Sequence, residues 1–264
     1  KHPHYTLRKE LYLLLLIHLI GDWNFVAVLP IIDKGLVSVS HIKPDNRKSR
    51  TDSLHQCQSK SFALRSRDIG TPVRMAFAAD SRRLAVAAVT SSAGQLQANL
   101  FVLSLAQGDP VQLSSGDSVP QWLGWLNNDT VLAVYENCAV VYGADGGERG
   151  RFDLGGGSLV SVSQDGANAA LLLENGQVCT AVLLDKDLNV QYSGNVPAAN
   201  QILRRGQNFY LLTDSGVECF AADGVYQWGQ ELSVRPQALI AGKQLLAADR
   251  YWWRGKTSAR VPVA

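Results

Sequence analysis

Residues 163–184 read SQDGANAALLLENGQVCTAVLL: a polar turn, an apolar run, a second turn and a second apolar run. Asp-Gly and Asn-Gly tolerate the positive φ of tight hairpin turns. The runs 169–173 and 178–184 have strand length. Neither alternates apolar with polar residues, so both read as strands buried on two faces.

The cadence recurs in AADSRRLAVAAV (78–89), LNNDTVLAVY (126–135), LRRGQNFYLLT (203–213) and IAGKQLLAAD (240–249). Each places a turn before a buried strand. Anchored on Asp80, Asp129, Asp165, Gly206 and Gly242, the spacings are 49, 36, 41 and 36 residues. A second apolar run follows each strand: NLFVLSL, CAVVYGADG, VCTAVLLDKD, ECFAADG and YWWRGK. A more polar fourth segment such as RGRFDL or VYQWGQEL comes next. Cys138, Cys179 and Cys219 are 41 and 40 residues apart, each near the head of its second run. Four strands per unit of about 40 residues predict an all-β fold, a β-propeller of four-stranded blades. Five units are visible, in a ring that is either complete or incomplete. A β-sandwich, which requires no such period, is the competing architecture.

Composition divides the chain. Residues 1–70 carry 11 Lys/Arg against 6 Asp/Glu, whereas the remainder carries 14 against 17. All five histidines precede residue 56, and only 3 of 23 glycines precede residue 71. This predicts an N-terminal leader over 1–70 and a propeller over 71–264. The apolar run 11–20, from Leu11 to Ile20, has a basic flank and the length of a signal-peptide core. Extended to Ile32 it reaches membrane-spanning length, but it then includes His18, Asp22, Asn24 and Pro30. The leader reads as a signal or membrane tether, as a soluble or non-native segment, or as part of the folded domain. The chain starts at Lys1 rather than Met, which leaves the leader's native status open. Residues 24–42 read as strand, turn, strand, and 43–68 as a polar, basic linker. A net charge of +2 gives no expectation of nucleic acid.

The stretches VRMAFAADSRRLAVAAVTSSAGQLQANLFVLSL, GWLNNDTVLAVYENCAVVYGADGGERGRFDLGG and RPQALIAGKQLLAADRYWWRGKTSARVPV resemble a bacterial family of WD40/YVTN-like propellers with no assigned activity. The resemblance implies an N-terminal membrane anchor and an extracytoplasmic propeller; a cytoplasmic location is the alternative. It brings no catalytic residues. In that family further blades stand between the anchor and the matching stretches, for which this chain has little room.

Residues 56–264 contain no histidine, which removes Ser-His-Asp and Cys-His nucleophilic sites and histidine zinc sites from the propeller. Asp185-x-Asp187-x-Asn189 begins like a calcium loop, but Val190 and Val196 stand where Gly and Glu are needed, so it reads as a polar turn. Gly255-Lys256-Thr257 lacks the upstream glycine of a phosphate loop, and GGGS at 155–158 reads as a link between blades. The four cysteines, Cys57 included, fit no disulfide framework and read as core thiols. No catalytic, metal or cofactor-binding residue is assigned, and no cofactor. Trp252 and Trp253 are adjacent and would face opposite sides of a strand, so one of them, beside Arg250 and Arg254, is a candidate surface for a protein or a cell-surface glycan. Blade packing is the plainer role for the pair. The expectation is a non-enzymatic binding or scaffold propeller. The alternatives are a hydrolase or lyase using carboxylates near the channel, and a truncated copy without a function of its own.

Overall fold

The computed structural model describes residues 69–92, 94–104, 109–233, 235–241, 245–248 and 258–261, together with the strand segments 25–31, 36–42 and 58–62. The chain divides into two units, Lys1–Asp68 and Ile69–Ala264.

In the first unit β1 (Phe25–Ile31), β2 (Leu36–Ile42) and β3 (Gln58–Phe62) form an antiparallel sheet in chain order. The strand, turn, strand reading of 24–42 is found as the β1–β2 pair, from Phe25 opposite Ile42 to Ile31 opposite Leu36. The stretch 43–68, read as a linker, contains β3, which pairs with β2 from Val37 opposite Phe62 to His41 opposite Gln58. β1 takes seven residues of the apolar stretch that runs to Ile32, where Phe, Val and Ile favour extended backbone. Residues 1–24, which include the run 11–20, lie outside the described residues. Among the described residues no helix is long and apolar enough to cross a membrane.

The second unit is a succession of antiparallel sheets, each a meander in chain order. The first sheet contains β4 (Thr71–Phe77), β5 (Arg83–Ser92), β6 (Gln95–Ser104) and β7 (Val111–Gly116). The second contains β8 (Trp122–Asn127), β9 (Thr130–Val134), β10 (Cys138–Gly143) and β11 (Glu148–Asp153). The third contains β12 (Ser158–Asp165), β13 (Asn168–Asn175), β14 (Val178–Leu184) and β15 (Val190–Val196). The fourth contains β16 (Gln201–Arg205), β17 (Asn208–Leu212), β18 (Gly216–Ala221) and β19 (Tyr226–Glu231). A fifth sheet has, among the described residues, three strands, β20 (Ala238–Ala241), β21 (Leu245–Ala248) and β22 (Ser258–Val261). β21 pairs with β22; the YWWRGK run, expected as the second apolar run of this unit, lies outside the described residues.

Burial explains the non-alternating runs. Val131 and Ala133 of β9 pack toward the first sheet, while Leu132 and Val134 pack toward the third. Ala169, Leu171 and Leu173 of β13 share the latter core, and Ala170 and Leu172 face the fourth sheet. Phe209 and Leu211 of β17 join that next core, while Tyr210 and Leu212 turn toward Leu239 and Ala247 of the fifth sheet. Successive residues point to opposite faces, so each second strand needs two apolar faces to fill two interfaces. The fourth strands β11, β15 and β19 are mostly exposed or half-buried, which accounts for their polarity.

Fourth strands carry a repeated β-bulge. Leu113, Arg149, Gln191 and Gln227 are each the extra residue opposite a register shift in the third strand. A bulge twists an edge and interrupts its hydrogen-bond ladder, which makes it a poor template for another strand. These bulges also correct the cysteine register. Cys219 sits at its bulge, whereas Cys138 and Cys179 sit three and four residues before theirs. The near-equal cysteine spacing is thus not a structural equivalence.

Candidate partner-binding surface

The candidate surface residues Arg250, Trp252, Trp253 and Arg254 lie outside the described residues, as do Cys57 and Gly255-Lys256-Thr257. Among the remaining cysteines Cys179 and Cys219 are buried free thiols, while Cys138 is half-exposed with its Sγ 3.1 Å from Nη1 of Arg151. Asp185 accepts from the backbone N–H groups of Asp187 and Asn189, and from the Asn189 side chain at 3.0 Å. Those bonds hold its carboxyl below the ordinary range, the Asn189 side chain most of all. The segment is the polar turn between β14 and β15. Gly155 and Gly156 of the GGGS link both have positive φ, at 64° and 79°.

Many interior polar side chains connect one sheet to the next. Ile202, Arg204 and Gly206 donate backbone N–H groups to Ser161, Ser163 and Asp165, each 41 residues earlier, at 3.3, 2.9 and 2.5 Å. The same device recurs elsewhere. Trp125 Nε1 donates to the Ala76 carbonyl at 2.8 Å, and Gln164 donates to the Trp125 carbonyl. Gln201 both donates to and accepts from the Leu239 backbone. At the turns preceding second strands, Arg83 pairs with Asp129 at 2.9 Å and the Asp80 N–H donates to Asn128. The aspartates that marked the repeat therefore serve as ties between sheets as well as turn formers.

Arg204 is the residue that the turn pattern concealed. The sequence marks a turn at Gly206 and assigns no role to Arg204, which lies in β16 and is only 7% exposed. Its guanidinium donates to the carbonyls of Ala169 and Leu184 and, at 2.6 Å, to Oε1 of Gln191. The bulge aims Gln191 at this cation. Burial lowers the Arg204 pKa, an effect that Asp165 partly offsets.

The feature that departs from the repeat is the β5–β6 hairpin. Its strands are ten residues long, whereas the corresponding strands of the next three sheets have five to eight. Pairing with β4 stops at Val89 opposite Thr71, and pairing with β7 stops at Ala98 opposite Gly116. Residues 90–92 and 95–97 continue beyond both neighbours. Leu96 at the tip is 70% exposed, although Leu100 and Val102 on the same face of β6 are buried against the second sheet. From Leu84 to Gly108 no residue is charged. That uncharged stretch was the legible signal.

A shallow depression of about 250 Å³ lies along β18 and β19, where Gly216 and Gly229 contribute no side chains and Glu218, Tyr226 and Glu231 form its sides.

No family model matches the sequence, and no curated protein matches it. Its similarity to solved structures is one of shape. It matches the C-terminal WD40 domain of Sif2 at 12% identity and a TM-score of 0.50, over 67% of this chain and 54% of that one. It matches a eukaryotic initiation factor at 13% identity and a TM-score of 0.55, over 84% of this chain and 56% of that one. The chain thus spans little more than half the length of either structure. At such identities the likeness speaks for fold alone: serial four-stranded meanders, packed face to face through doubly apolar second strands, are the blades of a WD40-like β-propeller.

Proposed function

We propose that the chain is a non-enzymatic binding or scaffold propeller that presents the β5–β6 hairpin to a protein partner. The observation that carries this reading is the division of labour among polar groups. Asp129, Ser161, Ser163, Asp165 and Arg204 are engaged in holding sheet to sheet, while the uncharged hairpin projects past the strands that flank it. A rigid scaffold that offers a binding element at its edge is a recurrent use of such folds, though a fold alone carries no function. The basic-flanked run 11–20 and the resemblance to anchored bacterial propellers support placement at a bacterial membrane, with the propeller on the extracytoplasmic side.

The test uses the full chain in bacterial cells, with a photo-crosslinking amino acid at Gln95. A discrete protein adduct, in a membrane fraction accessible to external protease, is expected. Glycoside hydrolase or polyuronate lyase turnover that disappears when Glu218 and Glu231 are changed to Gln would overturn the reading in favour of a carboxylate enzyme.

A further inference from the structure

We infer that the β5–β6 hairpin is a self-association element, and that its occupant is the same hairpin of a second copy of this chain. The inference rests on the binding-scaffold reading and names the partner. On the side away from β5, residues 95–97 of β6 have no paired strand among the described residues. An open edge of this kind invites another strand. The fourth strands β11, β15 and β19 are interrupted by the bulges at Arg149, Gln191 and Gln227, whereas β5 and β6 pair without a break from Arg83 opposite Ser104 to Ser92 opposite Gln95.

The charge pattern selects the occupant. A twofold antiparallel pairing places each residue near its own copy, so any charge close to the axis meets its like and destabilises the pair. The stretch from Leu84 to Gly108 has no charge to repel its copy, and none to attract a charged peptide. An axis near Leu96 would bring the two Leu96 side chains together. It would extend the apolar face of β6, which at Leu100 and Val102 is already a core face.

Three residues of edge pairing bury little area, so a weak dimer is expected, with a dissociation constant on the order of 100 µM. Sedimentation equilibrium of the full chain, from about 10 µM to about 1 mM, should show reversible dimerisation. Leu96→Lys and Gln95→Lys, both on the pairing strand β6, should each weaken it at least about tenfold by placing like charges close to the axis. Val178→Lys, at an exposed position in another sheet, should leave it unchanged. Circular dichroism of each variant checks the fold. A wild-type chain that stays monomeric, or dimerisation indifferent to both hairpin lysines, overturns the inference. A monomer that still forms the Gln95 adduct with a different protein overturns the second-copy assignment while leaving the scaffold reading intact.

Discussion

Arg204 shows how much a single side chain can hold together here. Truncating Arg204 to Ala takes a charged donor from the Ala169 and Leu184 carbonyls, which remain paired across β13 and β14, and from Oε1 of Gln191. Buried acceptors stripped of a charged partner are expensive, so Arg204→Ala should lower stability by about 3 kcal/mol in urea denaturation. Ser163→Ala removes one neutral acceptor from the same seam and should cost about 1 kcal/mol. Thiol chemistry follows exposure. Burial raises the Cys219 pKa, and Cys179 is also buried, so among the cysteines of the described residues alkylation followed by mass spectrometry should label Cys138 first. Labelling of Cys179 and Cys219 should wait for unfolding. Asp185 gives a pH prediction with a definite sign. Its folded pKa lies below the ordinary value of 3.8, because the Asn189 side chain and two backbone N–H groups bind the ionised form. The stabilisation is present above 3.8 and is lost as pH falls through the depressed folded value. Asn189→Ala should raise the Asp185 pKa in an NMR titration. An unchanged value would show that the side-chain bond does not favour the carboxylate.

At the scale of the element, glycine position sets the hairpins. Gly166, Gly176 and Gly206 each occupy the first of two loop positions, with φ of 57°, 65° and 58°. Ala167, Gln177 and Gln207, which follow them, are not among the positive-φ residues. This is the demand of a type II′ turn, with glycine leading, rather than of a type I′ turn centred on Asn-Gly or Asp-Gly. The dipeptides announced a hairpin in the sequence, but strand pairing decided which residues form its tip. A Cβ at any of these three glycines meets no atom within 4 Å, so an Ala substitution should cost only the strain of a backbone region that L residues avoid, about 2 kcal/mol. Gly216 differs, because its Cβ would stand 2.1 Å from the Gln230 carbonyl oxygen. Gly216→Ala must part β18 from β19, and a thermal melt should show a larger loss, about 3 kcal/mol or more.

For the molecule as a whole, the serial sheets predict a far-UV circular dichroism spectrum dominated by β structure. A helical share above about one third, the average of globular proteins, would contradict the fold. Each core lies between two consecutive sheets: the first with the second, the second with the third, and so on to the fifth. Stability is therefore shared between neighbours. A destabilising change at one seam, such as Arg204→Ala, should raise hydrogen exchange first in β12–β19, the two sheets that it joins, and later in β4–β7.

The sequence by itself determined the all-β class, the serial four-stranded units, and the turns that separate their strands. Those properties follow from local causes: glycine and aspartate turn chemistry, strand-length apolar runs, and the double burial that makes 131–134, 169–173 and 209–212 apolar without alternation. Only the tertiary structure decided what depends on a neighbouring sheet. It turned Asp165 from a turn marker into an acceptor for the Gly206 N–H, and placed Arg204, two residues before the turn glycine Gly206, in a buried seam. It also put Cys219 out of register with Cys138 and Cys179, because the bulge beside each third strand falls at a different distance from its cysteine. The β5–β6 hairpin belongs to both levels. Its lack of charge is written in the chain, but its reach beyond β4 and β7 is set by where those two strands stop pairing.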